Sequence, residues 1–381
     1  MRVPDELLDV RRPLATPCLI LDIDRVRENV DTIRQAFQQI KPRIFYSVKA
    51  SAEPDVLRAL GEAGCGFDVA SAGEIEWLEQ AGLMDRDVCF SSTVKVPEHI
   101  EGAFRCGIDK YAFDSSDEVL KLARLAPGSK VILRLDVPHM GSRWPLAGKF
   151  GAAPKEAADL LRLAADHGLE PYGLTFHVGS QCIRPDTWLE ALAVCGRVWN
   201  QARADGLQLR SVNLGGGLPA TYTEEVPTVA EIGGEVARRA LETFGSDVLY
   251  AVEPGRFIVG DAGTMIVSVI GKAVRRGRPW VFVDLSIYAG LLEVIGGWTY
   301  PIVTTKDHLP KKRTTLAGPS CDSTDVIALD IELPDLDVGD RLALLTAGAY
   351  TTAYQAYNGF RFPRALTVST GRSPLEPTRA F

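Results

Sequence analysis

From Arg43 to Pro254, short runs rich in β-branched and aromatic residues alternate with stretches of helical spacing. Eight of the runs read as strands: 43–48, 66–70, 88–92, 110–114, 131–137, 173–179, 211–215 and 248–254. The segments 54–63, 73–81, 97–106, 154–167 and 229–243 between them read as helices. Several open with Pro near the first turn, where a missing N–H costs nothing. Strand–helix alternation implies a parallel sheet. Eight such units fit a closed (β/α)8 barrel. A doubly wound sheet is the rival, and it wants fewer strands and a topological switch point.

After about residue 260 the helical rhythm stops. The runs 264–269, 280–283, 300–304, 314–317, 341–345 and 365–369 read as strands, with turn-rich segments such as 333–340 between them. A further strand candidate, 16–24, precedes the barrel. The expected architecture is therefore α/β: a barrel over 25–262, and an all-β domain built from 1–24 and 263–381.

Composition narrows the function. The chain is 46% hydrophobic and 24% charged, an ordinary globular balance. Lys+Arg 42 against Asp+Glu 49 gives a net charge of −7, which disfavours a nucleic-acid partner. No apolar run reaches the roughly 18–20 residues of a membrane helix. The opening MRVPDELLDVRR lacks the apolar centre of a secretory signal. The seven cysteines, 18, 65, 89, 106, 182, 195 and 321, are scattered and form no C-x-x-C. That pattern speaks against a disulfide framework and against a metal site. A reducing cytoplasm is the expected compartment.

In such barrels chemistry gathers at the C-terminal ends of the strands. The first run ends in Lys49. The second ends in Asp68, with Glu74 entering the next helix. The fifth contains Arg134, and the sixth ends in His177 and Ser180. The seventh ends in Gly215-Gly216-Gly217, and the eighth in Glu253-Pro254-Gly255-Arg256. Read singly, each has a plain explanation: a solvated lysine, a core histidine, a tight turn, a local ion pair. Their convergence on one mouth points further. The glycine turn would offer backbone N–H groups to an anion, with Gly255 and Arg256 completing that site. Lys49 would form a Schiff base with a carbonyl. Glu253 would pair with a pyridinium nitrogen, and His177 would stack on an aromatic ring. A phosphate, an aldehyde and a pyridine nitrogen together describe pyridoxal 5′-phosphate (PLP). The triple glycine is not G-x-G-x-x-G and comes seventh rather than first, so a dinucleotide fits poorly.

The motifs resemble those of the alanine-racemase-fold (fold type III) PLP decarboxylases, which include ornithine, lysine and diaminopimelate decarboxylases. They are Phe45-Tyr46-Ser47-Val48-Lys49-Ala50, Phe67-Asp68-Val69-Ala70-Ser71, Phe176-His177-Val178-Gly179-Ser180-Gln181, Asn213-Leu214-Gly215-Gly216-Gly217 and Glu253-Pro254-Gly255-Arg256. Two more lie in the β region: Gly318-Pro319-Ser320-Cys321-Asp322-Ser323-Thr324-Asp325 and Gly348-Ala349-Tyr350-Thr351-Thr352. The order is that of the family over nearly the whole chain. Trp144-Pro145-Leu146, Lys149-Phe150-Gly151, the Cys321-Asp322 pair and Asn358-Gly359-Phe360 are most similar to bacterial ornithine decarboxylases.

The resemblance implies roles. Lys49 would carry the cofactor, His177 would stack on its ring and Glu253 would hold its nitrogen. Ser180, Gly215, Gly216, Gly217, Gly255, Arg256 and Tyr350 would hold its phosphate. Asp68 and Glu74 would stand behind Lys49, and Arg134 would line the same pocket. It further implies a homodimer whose sites are shared. Cys321 would arrive from the partner subunit to return a proton to the substrate carbon once carbon dioxide has left. Asp322, with Tyr350 and Glu293, would contact the substrate. The implied reaction is decarboxylation of a basic L-amino acid, ornithine to putrescine. The alternatives are lysine, diaminopimelate or a carrier-tethered amino acid, or racemisation. One segment departs from the ornithine pattern: Leu291-Leu292-Glu293-Val294-Ile295-Gly296-Gly297-Trp298 carries glycines and a Trp near the expected acid, with Glu293 nearby.

Overall fold

In the computed structural model, which describes residues 8–146, 148–353 and 364–369, eight parallel strands close into a barrel. In chain order they are Arg43–Ser47, Gly66–Val69, Val88–Phe90, Lys110–Phe113, Lys130–Arg134, Glu170–Thr175, Ser211–Asn213 and Leu249–Val252. The eighth closes on the first, with Ala251 opposite Arg43 and Val252 opposite Ile44. The chain is thus a barrel and not a doubly wound sheet. The strands are shorter than the apolar runs that announce them. The sixth ends at Thr175, and His177 stands in the loop beyond it. The run looked longer because the loop residues Phe176 and Val178 are themselves buried.

Local chemistry sets the helix starts. Ser71 accepts the Glu74 N–H and opens Ala72–Gln80, and Ser115 accepts the Glu118 N–H and opens Ser116–Leu125. Thr228 and Glu231 form a capping box at Val229–Phe244. Pro54 and Pro97 stand at the first turns of Pro54–Glu62 and Pro97–Arg105. Phe45, Cys89, Ile132 and Ala251, from four different strands, pack into one buried cluster.

The chain divides into two units. One comprises Arg27–Pro219 and Val226–Phe257 and contains the barrel. The other comprises Met1–Val26, Ala220–Glu225 and Ile258–Phe381. The second is built on the long strand Gly263–Arg275. It runs antiparallel to Arg341–Leu345, to Arg278–Val283 and to the early strand Cys18–Asp22. Cys18–Asp22 pairs in parallel with Arg364–Val368 on its other side. Leu14, Cys18, Ile20, Ile266, Ala343 and Leu366 form a core there.

Two features were not expected. Val326–Pro334 is a strand, antiparallel to Lys311–Ala317. Its alternation is broken at Asp330, whose φ is +58°, and the ladder shifts register twice, so no clean period survives in the sequence. The second is a short antiparallel pair, Ser142–Trp144 with Ser180–Cys182, that ties the loop after the fifth barrel strand to the loop after the sixth. Asn358, Gly359 and Phe360 lie outside the described residues.

Candidate active site

Every barrel residue singled out in the sequence lies at or just beyond the C-terminal end of a barrel strand. Lys49 follows the first strand and is exposed. Its Nζ lies 3.1 Å from Oδ2 of the buried Asp68, which also accepts the Ser47 hydroxyl at 2.8 Å. Glu74, placed in the first helical turn by the Ser71 cap, accepts the Ala70 N–H at 2.6 Å. Arg134 ends the fifth strand, with its guanidinium 5.1 Å from the ring centre of Phe150. Arg256, buried to 3% exposure, donates from Nε to the Ser180 hydroxyl at 3.1 Å.

The glycine turn after the seventh strand is backbone only. Gly215 has a φ of +67°, and Gly217 one of +105°. A Cβ on Gly216 would stand 2.5 Å from the Glu253 carbonyl oxygen and 3.1 Å from His177 Nε2. Among the described residues the N–H groups of Gly216 and Gly217 find no acceptor. Unpaired N–H groups in a tight turn are what an anion seeks.

The charges of the mouth are tuned by burial. His177 accepts the Gly179 N–H on Nδ1 at 2.9 Å. Burial, then the positive charges of Arg134 and Lys49, hold it well below the usual histidine range. It is therefore a neutral ring with its proton on Nε2. Glu253 accepts the Ser91 hydroxyl at 2.7 Å and the Asn213 amide at 2.6 Å, both on Oε1. Burial first, and then the neighbouring Asp68, push its carboxyl up to about 7. Burial likewise pushes Glu74 up to about 7, against the opposing pull of Lys49.

The remaining singled-out residues belong to the other unit. Asp325, 2% exposed, accepts the N–H groups of Ile287 at 2.8 Å and Ser320 at 3.0 Å. The loop Gly318–Asp325 is thus organised by a buried carboxylate. On it Cys321 is exposed. Asp322 accepts the Tyr288 hydroxyl at 3.0 Å on one oxygen, and the N–H and hydroxyl of Thr324 at 2.9 and 2.8 Å on the other. Glu293 lies in the turn Leu292–Gly296, and its carbonyl accepts the N–H of the buried Trp298 at 3.2 Å. Tyr350 adopts a φ of +60°. Sequence reasoning gave no role to Ser91, Asn213, Tyr288 or Asp325. Asn213 stood inside a quoted motif, and position alone marked Ser91, one residue past the third strand.

The barrel mouth fits PLP on its own terms. It offers an amine, unpaired glycine N–H groups with a buried Arg beside Ser180, a neutral imidazole and a carboxyl with one uncommitted oxygen. Comparisons agree. The family model "Pyridoxal-dependent decarboxylase, pyridoxal binding domain" matches residues 23–260. The lysine/ornithine decarboxylase of Selenomonas ruminantium is 33% identical over 93% of this chain and 90% of its own length. SrLDC, solved in complex with PLP and cadaverine, superposes with a TM-score of 0.90 at 31% identity, covering 98% of this chain and 96% of that one. The lysine/ornithine decarboxylase of Vibrio vulnificus, solved with putrescine, gives 0.85 at 31% identity over 93% and 95%. Among the described residues no helix is long and apolar enough to cross a membrane. Family match, whole-chain likeness and the chemistry of the mouth converge, and the chain belongs to the fold type III PLP-dependent amino-acid decarboxylases.

Proposed function

We propose that this decarboxylase acts on a basic L-amino acid and converts ornithine to putrescine, as a homodimer whose subunits complete one another's sites. The observation that carries the reading is Asp322. Tyr288 and Thr324 fix its carboxylate on a polar loop beside Cys321. A fixed negative charge suits a substrate bearing a distal ammonium and repels one bearing a distal carboxylate. The names of the relatives, lysine/ornithine decarboxylases solved with cadaverine or putrescine, support it. Lysine is the second reading, favoured by the glycine-rich turn at 291–298, where ornithine enzymes carry an acid.

Bound PLP supplies a sink for the electrons left when the α-carboxylate departs. The rest is done by side chains. Lys49 would supply the amine for the cofactor's aldehyde, with Asp68 to steer it. Gly215, Gly216, Gly217, Gly255, Arg256 and Ser180 would hold the phosphate, the role the family resemblance also gives Tyr350. His177, neutral and fixed through Nδ1, would lie against the pyridine ring without adding charge. Glu253 would share a proton with the ring nitrogen. Arg134 lines the pocket. The partner subunit's Cys321 returns a proton to the substrate carbon. Asp322 reads the distal ammonium, with Glu293 beside the same end.

Product identification by mass spectrometry tests this, using a panel of basic and acidic L- and D-amino acids. Putrescine from L-ornithine is expected. Cadaverine alone, or turnover confined to an acidic substrate, reassigns the substrate. Interconversion of L and D forms without carbon dioxide release identifies a racemase.

A further inference from the structure

Glu253 is held by one oxygen only. Oε1 accepts Ser91 Oγ at 2.7 Å and Asn213 Nδ2 at 2.6 Å. Among the described residues Oε2 takes no hydrogen bond. The direction of the Asn213 amide is not a free choice. Its Oδ1 accepts the Gly215 N–H at 2.9 Å, and a backbone N–H can only donate. The NH2 group therefore faces Glu253 and must donate there. With the Asn213 donor and the Ser91 hydroxyl already on Oε1, the free lone pairs of this carboxyl are on Oε2. A proton on this carboxyl goes to Oε2.

The same amide reaches the glycine turn, and the Glu253 N–H returns the tie by donating to the Gly215 carbonyl at 2.8 Å. The carboxylate and the turn thus form one hydrogen-bonded unit.

We propose that Ser91 and Asn213 are positioning residues that fix Glu253 by Oε1, so that Oε2 is the oxygen sharing a proton with the cofactor's ring nitrogen, and that Asn213 locks this carboxylate to the phosphate-binding glycine turn. The proposal rests on the reading that Glu253 faces the ring nitrogen. Two donors on Oε1 stabilise the ionised carboxylate, so they leave the shared proton on the nitrogen. Removing either shifts the shared proton toward Oε2 and away from the nitrogen. No atom leaves or enters; one proton moves between two bases.

The experiment is 15N NMR of the holoenzyme loaded with ring-15N PLP, with the cofactor dissociation constant measured alongside. Glu253→Gln comes first. It is expected to move the resonance toward an unprotonated pyridine; an unmoved resonance overturns the reading of Glu253 itself. Ser91→Ala and Asn213→Ala are each expected to shift the proton-sharing equilibrium about tenfold the same way, the effect of losing one hydrogen bond to a charged group. Ser91→Thr, which keeps the hydroxyl, restores it. Asn213→Asp keeps the shape and the acceptor for Gly215 but removes the donor, and it should shift the resonance even if Asn213→Ala folds poorly. Cofactor affinity separates the two roles. Asn213→Ala weakens it about tenfold, whereas Ser91→Ala leaves it unchanged. If Glu253→Gln moves the resonance while the Ser91 and Asn213 variants match the wild type, the positioning proposal is overturned. If Asn213→Ala moves the resonance without loosening the cofactor, the lock to the glycine turn is overturned.

Discussion

Glu74 is set in place by the Ser71 cap and the Ala70 N–H, and burial raises its carboxyl to about 7. The sign of the linkage follows. Between the ordinary carboxylate range and pH 7 the folded chain holds a proton that the unfolded chain has released. Stability of the cofactor-free protein should therefore fall as pH rises through that window and level off above it. The shift corresponds to about 3 kcal/mol at most. Glu253 is raised to the same value and adds its own share, so thermal melts from pH 5 to 8 check the sum, and Glu74→Gln should remove about half of the slope; an equal slope in that variant removes Glu74 as a cause. A second residue-scale outcome concerns Lys49, paired with Asp68 at 3.1 Å. Borohydride reduction of the yellow holoenzyme should bleach it and leave the cofactor on Lys49 in a peptide map, and a label on any other lysine removes the assignment. The charged residues of the mouth were legible because each follows an apolar run, and the runs come in barrel order. Ser91 and Asn213 were not. A hydroxyl and an amide at strand ends look like solubilising residues until the barrel closes and brings both within hydrogen-bond reach of Glu253.

Elements are joined by a feature that local sequence does not announce. Lys95, on the loop after the third barrel strand, is fully buried and lies 3.1 Å from Glu118, in the helix Ser116–Leu125 and 2% exposed. Lys121 closes the cluster, donating to Glu118 and to the Lys95 carbonyl, each at 2.6 Å. Burial drags the Lys95 ammonium down to about 8, against the pull of Glu118. Breaking such a pair strands a charge in the interior. Glu118→Gln should cost ~3–5 kcal/mol in urea unfolding, while Lys95→Met with Glu118→Leu should cost far less. Equal losses in both would mean that the cluster acts through packing alone. Strand identity in the barrel was readable because β-branched runs recur at even spacing. Val326–Pro334 escaped because Asp330 breaks its alternation and Pro334 looks like a turn. Its partner Lys311–Ala317 was read short, since its exposed opening of three cations carries no apolar signal.

For the whole molecule the proposed dimer makes a quantitative claim. Chains carrying Lys49→Ala and chains carrying Cys321→Ala should each be nearly inactive. Mixed, they should regain about a quarter of wild-type sites, because random reassortment gives half heterodimers and one of the two sites in each is intact. Pull-down of one chain through an affinity tag on the other shows whether subunits exchange; no recovery despite exchange would falsify sharing of the site. The β unit has a further consequence, which belongs to the making of the chain. Its strand Cys18–Asp22 is flanked by Gly263–Arg275 on one side and Arg364–Val368 on the other. The ribosome delivers the first of these three before the barrel and the last long after it. At ~5–20 residues per second, the early strand waits on the order of tens of seconds for its outer neighbour. Once Leu249–Val252 has closed the barrel, about a hundred residues remain to be made, and for the ~5–20 seconds they take the nascent chain carries a finished barrel and an open sheet edge. Translation speed between the barrel and that last strand, more than any residue of the mouth, sets how long that edge stays available to the wrong partner.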